Sequence, residues 1–208
     1  MPKRIVIIGG GTAGASAAFS ARKQDRTAEI TIIDRETHST YSRCGLPFAI
    51  KGTISPIENL VVFPPKIFAS QKITQKLATE VTGINHQSHE VAFTTITTGE
   101  VGKVNYDTLI FATGSTPSKP PIAGIDGPPC AGYASTGREH PTGERTGRHV
   151  HVLRTIDDAK RIMESAKSAK SAVIIGASFI GLETAEALKH LGLDVTVIEQ
   201  KYLLWRML

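Results

Sequence analysis

Short apolar runs, broken by small and polar residues, set the pattern of this chain. Ile5-Val6-Ile7-Ile8 is a run of β-branched residues that suits a buried parallel strand. Residues 9–14 interrupt it with glycines, and the small residues of 13–18, followed by 19–22, predict a helix packed closely on that strand. Glu29-Ile30-Thr31-Ile32-Ile33 predicts a second strand, closed by Asp34. Residues 35–41 form a polar loop, 48–50 a short helix before Gly52, and Pro64-Pro65 opens a helical turn through 66–70. From Ile73 the texture turns to strands, expected over 76–84, 90–95 and 100–106, with turns at 86–90 and 98–99. Residues 107–112 are another buried strand, stopped by Thr113-Gly114-Ser115-Thr116-Pro117. Residues 128–148 are rich in Gly, Pro, Thr and Arg without an apolar period, and read as an exposed loop or linker. His140, Arg145, Arg148 and His149 fall in or beside it and read as solvated rather than as a binding patch. Thr155 is the expected cap of a helix running through Ala166.

The opening pattern then returns. Residues 172–175 form an apolar strand ending in Gly176, residues 182–190 a helix, and 194–198 a strand ending in the acid Glu199. The repeated unit is strand, glycine loop, helix, strand, acid. In the first copy Gly9, Gly11 and Gly14 fit G-x-G-x-x-G, and Asp34 follows the last glycine by about 20 residues. Gly9 permits the tight turn, Gly11 lets the backbone approach a pyrophosphate, and Gly14 lets helix and strand pack closely. A helix N-terminus offers that pyrophosphate free N–H groups and partial positive charge, while Asp34 can accept hydrogen bonds from an adenosine ribose. In the second copy the middle glycine is Ser178, and Glu199 favours NADH while Lys201 leaves NADPH open. The expected fold class is therefore α/β with two dinucleotide-binding units of the Rossmann type. Inserted antiparallel strands belong to the first unit. The second unit stops after its second strand at the apolar run 203–208, and so reads as incomplete. The expected domains are residues 1–127, a linker over 128–150, and a partial domain over 151–208.

Composition changes this picture little. The hydrophobic fraction of 40% and charged fraction of 21% are those of an ordinary globular protein. A net charge of +5 with a pI near 9.3 raises the question of nucleic acid. The basic residues are scattered, however, with no Lys/Arg block and no aromatic interleaving, which argues against that partner. No stretch is long and apolar enough to predict a membrane span, and residues 1–4 run directly into the first strand without a secretory signal, so a cytoplasmic protein is expected. The two cysteines, Cys44 and Cys130, lie in unlike contexts and give neither a disulfide framework nor metal-ligand spacing. Cys130 reads as a buried or loop thiol. Cys44 differs, because Gly45-Leu46-Pro47 follows it as if opening a helix and Arg43 adds positive charge, both of which favour a thiolate.

Two nucleotide units, a cysteine between them and the Thr113 to Pro117 turn together resemble the pyridine nucleotide-disulfide oxidoreductases. The nearest likeness is to the single-cysteine branch, which holds coenzyme A-disulfide reductase, NADH oxidase and NADH peroxidase. The segments that carry it are 9–14, 42–48, 106–117 and 176–181. The resemblance implies FAD bound through Gly9, Gly11, Thr12, Ala13, Gly14, Asp34 and Arg35, with Ser42 and Arg43 near the flavin. It places the backbone of Val81 at the adenine, and Ala112, Thr113 and Gly114 at a second FAD contact. It assigns NADH or NADPH to Gly176, Ser178, Phe179, Ile180, Gly181 and Glu199, and makes Cys44 the redox thiol. Arg22 and Ser42 would contact substrate, Arg22 through a coenzyme A phosphate. A lone thiolate can attack an external disulfide, or cycle through a sulfenic acid during peroxide or oxygen reduction. Peroxidase and water-forming oxidase members of the family place a histidine in the first glycine loop, where this chain has Thr12 and Ala13. That departure favours a small disulfide, such as coenzyme A disulfide or a persulfide, as acceptor. NADH oxidase or peroxidase activity, and a non-catalytic flavin-binding fragment, stand as alternatives. The resemblance also implies a complete form that is a homodimer.

Overall fold

The computed structural model describes residues 1–118, 120–122 and 150–200. The expected linker over 128–148, Cys130, Lys201 and the run 203–208 lie outside the described residues, as does the expected boundary at 127. The chain divides into two compact units. The first holds residues 1–42 and 58–115, and the second holds 43–57 and the described residues from 116 onward. The second unit thus includes Cys44 and its flanking residues, which a contiguous division of the sequence assigns to the first.

The first unit is built on a four-stranded parallel sheet. Its strands are β1 (Arg4–Ile8), β2 (Glu29–Ile33), β3 (Ile73–Lys76) and β7 (Thr108–Phe111), in the order β3-β2-β1-β7. Because side chains alternate along a strand, β1 feeds two cores at once. Ile5 and Ile7 join Ile30, Ile32 and Ile73 on one face, packed against Ala15 and Ala18 of α1 (Thr12–Gln24) and Phe68 of α3 (Pro65–Ser70). Val6 and Ile33 face the other way, onto Val91 and Phe93 of an antiparallel sheet and onto Tyr106, which follows its last strand. That second sheet comprises β4 (Thr79–Asn85), β5 (Glu90–Thr95) and β6 (Val101–Asn105). The two sheets and the helical layer bury the central strands β1 and β2 on both faces, as continuous apolar runs require. By contrast β7, expected as a buried strand, is an edge strand that is half-buried and leaves Phe111 exposed.

The strand predicted over 76–84 is in fact two strands in different sheets. Ala78 lies between them with φ 48°, a left-handed conformation that turns the chain. β3 therefore ends at Lys76 beside Ile33, and β4 departs to pair with β5. Hydrophobic pattern alone reads through this break, because Ala78 is buried like its strand neighbours.

In the second unit, β8 (Ser171–Ile175) pairs parallel with β9 (Asp194–Ile198), and α5 (Phe179–His190) connects them. The expected cap at Thr155 is present. Its hydroxyl accepts from the Asp158 N–H, and the Asp158 carboxylate accepts from the Thr155 N–H, closing a capping box on α4 (Ile156–Ala166). The short helix α2 (Leu46–Lys51) is in this unit too, with Leu46, Pro47, Ala49 and Ile50 buried. Among the described residues no helix is long and apolar enough to cross a membrane.

Candidate functional site

In the first unit the glycine loop lies between β1 and α1, at the carboxyl end of the parallel strands, where open α/β sheets hold their ligands. Its glycines follow from close approach. Gly9 has φ 104°, and a Cβ there would collide with the Ala112 carbonyl, so β1 and β7 end in contact behind the loop. A Cβ on Gly14 would strike the carbonyl of Gly9, which is why α1 can rise directly off the strand. Gly11 is the N-cap of α1 and offers no side chain to its first turn, so that turn's N–H groups are left for a ligand. Thr12 and Ala13 are exposed there, with Gly14 buried behind them. A pyrophosphate fits this donor set: main-chain N–H groups at a helix N-terminus, with close backbone approach.

Asp34 closes the loop. Its Oδ2 accepts the Gly10 N–H at 2.6 Å and its Oδ1 accepts the Glu36 N–H at 3.0 Å. A carboxylate offers about four acceptor sites, so these bonds are compatible with further bonds to ribose hydroxyls. Arg35 is exposed in the turn that follows. Val81 is half-buried in β4, where it packs on the Val6, Ile33 and Phe93 cluster. Ala112 donates its N–H to the Ile8 carbonyl, and Thr113 and Gly114 (φ 69°) continue, exposed, from β7.

The second unit repeats the two anchoring bonds of this loop and the close approach of its last glycine. Gly9 donates to the Ile33 carbonyl at 2.8 Å, and Gly176 donates to the Ile198 carbonyl at 2.8 Å. Gly10 donates to Asp34, and Ala177 donates to Glu199 Oε2 at 2.9 Å. A Cβ on Gly181 would strike the Gly176 carbonyl as one on Gly14 would strike Gly9. Ser178 is the N-cap of α5 with no side-chain capping bond, and Phe179 and Ile180 are exposed on its first turn. The spacing read from sequence thus builds the same cradle twice.

Cys44 is exposed, in a 3-10 turn over Arg43–Gly45 that leads into α2. Arg43, half-buried, donates from Nη1 to the Arg154 carbonyl at 2.8 Å within the second unit, and Lys51 at the far end of α2 pairs with Glu186 of α5. Ser42, the last residue before this segment, donates its N–H to the Leu60 carbonyl in the first unit.

Arg22 lies near the end of α1 remote from the glycine loop. Its guanidinium donates to the carbonyls of Gln71, Asp25, Arg26 and Lys72, so it ties the end of α1 to the turn before β3. A cavity of about 540 Å³ beside it, lined by Arg26, Glu29, Thr31 and Lys72, opens at the amino end of the sheet, opposite the loop. The structure also shows a contact that sequence reading missed. The buried Thr40 hydroxyl donates to the Gly10 carbonyl at 2.6 Å. Among the described residues no group of three His, Cys, Asp or Glu side chains could hold a metal ion.

Comparison with known proteins agrees with this doubled architecture. The family model described as pyridine nucleotide-disulphide oxidoreductase matches residues 3–208. An NADH oxidase of Methanocaldococcus jannaschii is 32% identical over 94% of this chain and 40% of its own length. A coenzyme A disulfide reductase of Staphylococcus haemolyticus is 29% identical over 95% of this chain and 40% of its own. The solved structure of an NAD-dependent persulfide reductase from A. fulgidus superposes with a TM-score of 0.81 at 35% identity, covering 96% of this chain and 34% of that one. Proteins named as rhodocoxin and ferredoxin reductases are among the matches as well. The chain spans about two fifths of the length of these curated relatives.

Proposed function

This chain belongs to the pyridine nucleotide-disulphide oxidoreductase family, and from that premise we propose that it serves an FAD-dependent NAD(P)H oxidoreductase that reduces a low-molecular-weight disulfide through Cys44. The observation that carries the reading is the doubled cradle. A carboxylate at the end of the second strand holds the N–H of the second loop residue in each unit, Asp34 for Gly10 and Glu199 for Ala177. Two such cradles fit two dinucleotides, and the relatives are named as an NADH oxidase, a coenzyme A disulfide reductase and an NAD-dependent persulfide reductase.

Gly11 and the first turn of α1 would hold the FAD pyrophosphate, with Asp34 on the ribose and Val81, Thr113 and Gly114 as further contacts. Gly176, Ser178, Phe179, Ile180, Gly181 and Glu199 would hold NADH or NADPH. Bound FAD supplies the capacity to take a hydride from the nicotinamide and to pass two electrons onward. The chain's own chemistry is that of Cys44. Its thiolate attacks one sulfur of the substrate disulfide and the other sulfur leaves as a thiolate. The resulting mixed disulfide then takes up two electrons, which frees Cys44 and the second thiol. The exposure of Cys44 suits attack on a soluble substrate. The complete form is proposed as a cytoplasmic homodimer.

An NADH oxidase is the second reading, favoured by the name of the Methanocaldococcus relative. In the complete enzyme, Cys44→Ser is expected to abolish thiol release from coenzyme A disulfide while leaving reduction of the flavin by NADH intact. Measuring thiol release, flavin bleaching and oxygen uptake together separates the two readings. Undiminished disulfide reduction by Cys44→Ser would defeat the assignment, and oxygen uptake without thiol release would favour the oxidase.

A further inference from the structure

The peptide joining Gly10 to Gly11 is held at its own carbonyl and through the peptide before it. The N–H preceding it, that of Gly10, donates to Asp34 at 2.6 Å, and its own carbonyl accepts the Thr40 hydroxyl at 2.6 Å. In a trans peptide the carbonyl and the following N–H point in opposite directions. A carbonyl turned toward buried Thr40 therefore turns the Gly11 N–H away from Thr40, and Thr12 and Ala13, which begin α1 after Gly11, are exposed. We propose that Thr40 is a positioning residue of the first cradle, its hydroxyl aiming the Gly11 N–H at the pyrophosphate of a bound dinucleotide. This rests on the reading of the first unit as an FAD site.

Thr40 is itself firmly placed. Its carbonyl accepts the N–H groups of Val62 and Phe63, its neighbour Ser39 donates to the Phe63 carbonyl at 2.7 Å, and Tyr41 bridges to Val61. Residues 39–41 are thus clamped to 61–63, and only 4% of the Thr40 surface is exposed. Rotation of the Gly10–Gly11 peptide would leave a buried hydroxyl without its acceptor, which opposes that motion. Glycine needs such a constraint most, because it has the widest choice of backbone conformation.

The test compares the wild-type chain with Thr40→Val, which keeps shape but removes the donor, and Thr40→Ser, which keeps the donor. The readouts are FAD affinity by flavin fluorescence, the Gly11 amide resonance during titration with ADP and with adenosine, and the thermal midpoint. Thr40→Val is expected to bind FAD and ADP about tenfold more weakly, with a diminished Gly11 response to ADP and an unchanged affinity for adenosine. Thr40→Ser is expected to behave as wild type. If Thr40→Val does not fold, Thr40→Cys replaces it with the same expected outcomes, since a thiol is a weak donor. Equal losses for ADP and adenosine, or no loss for either, overturn the positioning role alone. A wild-type chain that binds neither FAD nor ADP overturns the underlying FAD reading with it.

Discussion

At the scale of single residues, the two cradles make the same bond with different partners. In the first unit a glycine faces a short acid, Gly10 with Asp34, and in the second an alanine faces a longer one, Ala177 with Glu199. The pairing has a steric cause. A Cβ at Gly10 would come within 2.6 Å of Asp34 Oδ2, so the short acid lies where an alanine methyl would sit. Gly10→Ala is therefore expected to displace the Asp34 carboxylate and weaken FAD binding about tenfold, the scale of a lost charge-assisted bond. Adding Asp34→Glu should restore most of the loss, because the second unit holds that combination at 2.9 Å. Flavin titration of both single variants and the double variant decides it, and additive losses would refute the coupling. Gly9, Gly14 and Asp34 were legible because their roles follow from spacing within one strand-loop-helix unit. Thr40 was not, because its bond to Gly10 depends on the clamp between 39–41 and 61–63.

At the scale of elements, local signals located most helices and strands, and the pairing of strands brought charges together that no local pattern predicts. Arg4 opens β1 and Asp107 precedes β7, and register places them side by side. The Arg4 backbone N–H and guanidinium both donate to the Asp107 carboxylate. The Arg4 side-chain hydrogen bonds, then the backbone bond, hold the Asp107 carboxyl down at about 2. A carboxyl whose pKa is depressed on folding stabilises the fold above its unfolded value of about 3.9. That contribution fades as pH falls toward about 2. Asp107→Asn is thus expected to unfold at lower denaturant concentration than wild type at neutral pH, with the gap closing between pH 4 and pH 2. Denaturant midpoints measured across that range check it, and a gap independent of pH would show that the ion pair is not its source. The pair is exposed, so the effect is small and should shrink with added salt.

At the scale of the molecule, the two units differ in how well they cover their sheets. The first buries its central parallel strands, β1 and β2, between helices and an antiparallel sheet. In the second, β8 and β9 pair with each other among the described residues, and Val173, Ile175 and Ile198 remain more than half exposed. Alternation sends Val173 and Ile175 to one side of β8, while a Cβ on Gly181 of α5 would lie 3.4 Å from Ile174 on the other. An uncovered apolar face with unpaired edges favours association. The 208-residue chain is therefore expected to bind hydrophobic dyes and to self-associate as its concentration rises. Replacing Val173 and Ile175 with Thr, which keeps β propensity, should move it toward monomer. Light scattering behind size-exclusion chromatography reads this out, and a wild-type chain that stays monomeric without binding dye would refute the expectation.

The amino-acid sequence by itself determined the repeated strand, loop, helix, strand and acid unit. Each part of that unit is fixed by neighbours within about one turn or one strand, through β-branched runs and glycine spacing. It likewise placed Thr155 at a helix start and an acid at the end of β2 and of β9. Tertiary structure decided what depends on distant chain. It split 76–84 between two sheets at Ala78 and engaged Arg22 with main-chain carbonyls. It also grouped Cys44 with the second unit, and it set a buried Thr40 beneath the Gly10 carbonyl. These choices turn on which surfaces meet, and a residue's own neighbours in sequence carry no record of that.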